Sequence, residues 1–158
     1  MNEDPSPPRN RYAVLIAGMI IQLCAGVIYM WSVFKSPVAL HLDSAEADIA
    51  LVSSVMLASF VIGMLTGGGL QDRFGPRTVT ALGSFLMSGG ILATAFLTPA
   101  SASLIYLTYG ITGGIGVGIV YSCTVACVQK WFPDRRGFAT GAMVGSFGFS
   151  LVIFSPLA

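Results

Sequence analysis

From Tyr12 to Phe34 the chain carries no charged residue, and the same holds from Ile49 to Gln71, from Thr78 to Gln129 and from Gly137 to Ala158. A helix at the surface of a soluble domain sets charged and polar residues along its outer face. Segments without one charge over such lengths offer water no such face. A hydrocarbon core about 30 Å thick takes about 20 apolar residues as helix. Three of the blanks hold one crossing each. The longest, 78–129, is long enough for two, with Thr98-Pro99-Ala100-Ser101-Ala102-Ser103 as the turn between them. Five spans are therefore expected, at about 12–34, 49–71, 78–97, 104–129 and 137–157. Composition agrees: 54% of residues are hydrophobic, 9% are charged and the mean hydropathy is +0.80, which excludes an ordinary soluble domain. The expected fold class is an all-α integral membrane protein.

The first span could instead be a cleaved signal peptide. It is longer than a signal h-region of about 7–15 residues and ends at Trp31 and Lys35 without a small-residue cleavage site. Residues 1–11, polar and rich in proline, read as a tail. If that tail is cytoplasmic, Arg9, Arg11, Arg73, Arg77, Lys130, Arg135 and Arg136 lie inside and only Lys35 lies outside. This bias predicts an N-terminus in the cytoplasm and a multi-pass protein of the cell membrane.

Glycine is the second signal. Gly110, Gly114 and Gly118 recur every four residues in span four, and Gly137, Gly141 and Gly145 do so in span five. Such rows let helix backbones approach closely in lipid, and both are expected to pack helices. Gly113 to Gly118 is no nucleotide loop, because no Lys-Ser/Thr follows and no strand precedes. Cys24, Cys123 and Cys127 all fall within spans. Cys123 and Cys127, one helical turn apart, could in principle hold a soft metal, but no further Cys or His is near and small packing residues are the preferred reading. The single histidine, His41, has no nucleophile or ligand near it in sequence. No enzyme chemistry, cofactor, metal or nucleic acid is indicated.

The stretch Gly67-Gly68-Gly69-Leu70-Gln71-Asp72-Arg73-Phe74-Gly75-Pro76-Arg77 breaks the pattern by setting three charges within six residues. It reads as a short turn between spans two and three. Asp72 would close its helix at the C-terminal end, where the macrodipole disfavours an anion by roughly 0.3–1 kcal/mol. That placement points to a partner, either a basic side chain or the N-terminus of another helix, brought close over Gly68. The alternative is a solvated Asp72 beside two arginines that only set topology.

Gly68-x-x-x-Asp72-Arg73-x-Gly75-x-Arg77 resembles the loop motif between helices two and three of the major facilitator superfamily, departing from it at Pro76, where a basic residue is more usual. Tyr29-Met30-Trp31-Ser32-Val33-Phe34 and Lys130-Trp131-Phe132-Pro133-Asp134-Arg135-Arg136-Gly137, with Ala139-Thr140-Gly141, resemble the oxalate/formate antiporter family within it. The resemblance implies a twelve-helix secondary transporter that moves small carboxylates, such as oxalate, formate or lactate, by alternating access. It implies two six-helix halves with substrate between them. With five spans, the chain is expected to be the incomplete N-terminal half, partnered by the lipid bilayer, a small organic anion and a C-terminal half.

Within the spans, Gln22 lies near the middle of span one, and Gly18, Gln22, Gly26, Tyr29 and Val33 share one face. Tyr121 continues the Gly110-Gly114-Gly118 row. Superfamily helices one and four line the cavity, which makes Gln22, Tyr29 and Tyr121 the pocket candidates; helix–helix hydrogen bonding is the alternative for each. No span carries an ionised residue, so no proton relay or counter-charge for a carboxylate is visible. Lys35 could attract anions at the outer mouth or simply snorkel. Two other readings stay open: a transporter of a different small solute, and a five-helix accessory membrane protein that transports nothing. A channel is disfavoured by the absence of a charged ring.

Overall fold

The computed structural model describes residues 11–41 and 46–154. Its long helices are α1 (Arg11–His41), α2 (Glu46–Phe74), α3 (Pro76–Ala95), α4 (Ser101–Trp131) and α5 (Arg136–Phe154). All are long and apolar enough to cross a bilayer. Leu65, Phe85 and Phe96 are 76%, 78% and 83% exposed, which suits side chains that meet acyl chains rather than water. The N-terminal tail lies outside the described residues, except that Arg11 already belongs to α1.

Two of the helices, α1 and α4, are not regular. In α1 an α-helix (Arg11–Ala25) passes through a 3-10 stretch (Gly26–Met30) before resuming at Trp31–His41, so the helix runs on past residue 34. In α4 a π-helical stretch (Tyr106–Gly113) precedes the regular helix from Gly114. Trp31 and Tyr109, one beside each irregularity, stack with centroids 4.4 Å apart.

Short connections fix antiparallel neighbours. Gly75 joins α2 to α3 with φ 81° and ψ 153°, a region that only glycine adopts readily, and Pro76 opens α3 in the first-turn position that suits it. Between α3 and α4, Thr98 caps a 3-10 turn over Pro99–Leu104: its N–H donates to Ser101 Oγ at 3.0 Å. Between α4 and α5, Phe132 is 1% exposed and anchors the loop. Beside it Asp134 accepts from the Arg11 guanidinium at 3.4 Å, and that guanidinium lies over the rings of Tyr12 (5.3 Å) and Phe132 (5.2 Å). This ties the start of α1 to the α4–α5 loop at the basic end of the bundle, where Arg73, Arg77, Lys130, Arg135 and Arg136 lie.

α4 is the central element, packed on α2 and α3 and, more lightly, on α1; α5 packs chiefly on α1. Lipid-soluble helices gain nothing by hiding apolar groups from water, so their contact depends on close backbone approach. The α4 glycines supply it. A Cβ at Gly114 would lie 2.6 Å from the Met56 carbonyl oxygen, one at Gly110 3.1 Å from Val55, and one at Gly118 would strike the Phe60 carbonyl. Gly116 performs the same role towards α3, where a Cβ would come 2.5 Å from the Met87 nitrogen.

The second glycine row behaves otherwise. Among the described residues nothing lies within 4 Å of a Cβ built at Gly137, Gly141 or Gly145, so none of these five helices packs on the row expected to pack α5. The buried residues of α5 are Ala139, Met143, Ser146, Phe147 and Ser150. Gly141 stands two residues from Met143, about 200° around the helix, so the glycine row faces away from the bundle.

Candidate functional site

Four helices contribute one aromatic ring each to a single cluster: Tyr29 from α1, Phe60 from α2, Tyr121 from α4 and Phe147 from α5. Phe147 is its hub. Its ring stands edge-on to Tyr29 at 5.2 Å and to Tyr121 at 5.0 Å, and stacks against Phe60 at 6.2 Å. Phe60 also meets Tyr121 edge-on at 5.6 Å. Edge-to-face pairs at these distances are the arrangement the ring quadrupoles favour.

Glycines place the hub. A Cβ at Gly26 would strike the Phe147 carbonyl and approach Ser150 to 2.5 Å, so α1 and α5 touch backbone to backbone just where Phe147 emerges. The contact of Gly118 with the Phe60 carbonyl does the same for α4 and α2. Phe147 is 5% exposed whereas Tyr29 is 46% exposed, so the cluster has a buried centre and an open side formed by a phenol.

Gln22 is fully buried, and its Nε2 donates to the backbone carbonyl of Tyr121 over a long 3.5 Å. Its Oε1 is buried without a partner among the described residues. A buried amide oxygen left unpaired costs about 1–3 kcal/mol, which makes Gln22 a polar residue still in want of a donor. The structure thus gathers Gln22, Tyr29 and Tyr121 around one helix crossing. Sequence reasoning missed Phe60 and Phe147. An apolar aromatic in an apolar span carries no mark of its own, and only Gly26, on the face of Tyr29, signalled that a neighbouring backbone comes close there.

The loop motif stands apart, at the basic end. Asp72, Arg73 and Arg77 are exposed, and among the described residues Asp72 forms no ion pair. Nothing lies within 4 Å of a Cβ built at Gly68, so the close approach expected there is made by none of these five helices. Gly75 holds the turn between α2 and α3 at a φ of 81°.

The family model of the Major Facilitator Superfamily matches residues 11–158. The chain belongs to the major facilitator superfamily. It is 32% identical over 152 residues to the oxalate:formate antiporter of Oxalobacter formigenes, covering 94% of this chain and 35% of that protein. An uncharacterized MFS-type transporter of Escherichia coli (strain K12) is 30% identical over 146 residues, covering 92% of the chain and 36% of the relative. Monocarboxylate transporter 13 of Bos taurus is 30% identical over 144 residues, covering 91% and 33%. The chain thus spans about a third of the length of the curated relatives it matches. It is a multi-pass membrane protein of a transporter family, not of an enzyme family.

Proposed function

We propose that this chain is the N-terminal part of a secondary active transporter that carries small organic anions, mono- or dicarboxylates, by alternating access in the cell membrane, with its N-terminus in the cytoplasm. The observation that carries the reading is the convergence of two tyrosines from α1 and α4 on Phe147, beside a buried glutamine whose oxygen has no partner among the described residues. Phenolic hydroxyls donate hydrogen bonds to carboxylate oxygens, and the aromatic walls exclude the water that would compete. The printed names of two relatives, an oxalate:formate antiporter and a monocarboxylate transporter, support the same substrate class.

In this reading Gln22, Tyr29 and Tyr121 line one wall of a cavity, and a C-terminal half supplies the opposite wall together with the cations that neutralise the substrate. The Asp72 loop is a latch at the cytoplasmic face, whose partner lies on that other half; the open surface over Gly68 suits this. Counterflow of radiolabelled oxalate, formate and lactate into proteoliposomes tests the reading. The chain joined to its C-terminal continuation exchanges at least one of the three. Exchange of a neutral or cationic solute, with none of the three anions moved, overturns the anion assignment.

A further inference from the structure

A cavity of about 250 Å³ opens between α1 and α2 at the end of the bundle opposite the basic one, and Lys35, Ser32, Ser53 and Tyr29 are its polar lining. Tyr29 lies in the 3-10 stretch and Ser32 and Lys35 in the α-helix that follows, at intervals of three residues that keep side chains neighbours on one helix face. That is how one helix turns three polar groups towards one recess. Lys35 is exposed, and among the described residues it forms no ion pair. The hydroxyls of Ser32 and Ser53 now donate to the carbonyls of Tyr29 (3.2 Å) and Ala50 (2.6 Å). Turning either hydroxyl about its Cβ–Oγ bond presents its hydrogen to the cavity instead. Met56 and Leu57 complete the recess with apolar wall. An ammonium and three hydroxyls give an acceptor-only ligand everything it needs, and a snorkelling lysine would have no use for such a recess. Tyr29 also meets Phe147 at 5.2 Å, so the recess and the aromatic cluster share that residue.

We propose that this recess is an entry site for small carboxylates, in which the Lys35 ammonium receives the anion at the mouth and Tyr29 passes it to the Tyr29–Phe147–Tyr121 cluster. The proposal rests on the anion-transport reading and adds a second site to it. Trp31 lines the same recess and reports on it. With Trp131→Phe, Trp31 is the sole tryptophan of the chain. The test is a fluorescence titration of that variant, in nanodiscs of phosphatidylcholine, with oxalate, formate and lactate at constant ionic strength. A saturable response to at least one of them is expected. Lys35→Gln weakens it about tenfold or more, Lys35→Arg largely restores it, and Lys130→Gln at the other end of the bundle leaves it unchanged. A response that Lys35→Gln does not alter overturns the entry site while leaving the anion reading intact. No response to any of the three anions overturns the entry site, and the counterflow experiment then decides the substrate class separately.

Discussion

The ring of Tyr121 stands edge-on to that of Phe147, 5.0 Å away at 68°, although one belongs to α4 and the other to α5. Phe147 holds Tyr29 in the same manner from the other side. One phenylalanine therefore sets the positions of two phenols, and the hydroxyls can be removed without disturbing the rings.

Tyr29→Phe and Tyr121→Phe should each weaken carboxylate affinity in the complete transporter. A lost neutral hydrogen bond is worth about 0.5–1.5 kcal/mol, and up to about 3 where the acceptor is charged. Ring contacts are kept, so expression and thermal stability should hardly change. Equilibrium binding of oxalate or lactate to both variants is the measurement. Affinity equal to that of the unmodified protein would leave the two tyrosines as packing residues only.

Glycine rows in α4 and α5 look alike in sequence and differ in the folded chain, and substitution should separate them. Gly114→Leu forces four carbons into a place where the first of them already meets the Met56 carbonyl at 2.6 Å. Overpacking of this kind costs about 1–3 kcal/mol or more. At Gly141 an added Cβ meets nothing within 4 Å among the described residues, and Gly141→Leu should change stability by no more than about 0.5 kcal/mol. Thermal unfolding of residues 1–158 in detergent compares them. Equal losses would mean that α5 packs through its glycines after all.

The two glycine rows mark the limit of what is legible in the sequence. Five membrane helices followed from the absence of charge, because a missing charge constrains every residue of a span at once. The turn at Thr98 followed from proline and serine chemistry. The face each helix uses was not legible: Gly118 and Gly141 sit in identical spacings, and only the neighbour decides which one is covered. For the same reason the cluster was only half visible. A tyrosine in an apolar span declares itself by its hydroxyl; Phe60 and Phe147 do not, and their convergence depends on backbone contacts at Gly26 and Gly118 that join segments far apart in the chain.

Orientation can be read from two positions at opposite ends of the bundle. Ser101 lies in the 3-10 turn that opens α4, and Phe74, 65% exposed, closes α2 beside the basic loop. With the native cysteines replaced, Ser101→Cys should react with an impermeant thiol reagent added to intact cells, and Phe74→Cys should react only after permeabilisation. The reverse pattern would place the arginines outside and remove the cytoplasmic N-terminus.

The last prediction concerns the three charges after the glycines. Asp72 sits in the last turn of α2, against its own helix dipole, and is exposed without an ion pair among the described residues. If it were only solvated, neutralising it would relieve the dipole by roughly 0.3–1 kcal/mol and stabilise the chain slightly. If it latches a C-terminal half at the cytoplasmic face, Asp72→Asn should do something a stability measurement cannot show. It should shift the complete transporter towards the inward-open state, about tenfold for a lost contact of about 1.4 kcal/mol. Gly68→Leu should act alike by holding the partner away, since the described residues leave open space above Gly68. Gly75→Ala is the separate control for the turn itself: its φ of 81° would strain any other residue by about 1–3 kcal/mol and should lower stability. Cysteine accessibility from each side of the membrane, with and without Asp72→Asn, decides between the two roles. Populations that do not move, together with a slight rise in stability, would reduce the charged loop to a topology signal.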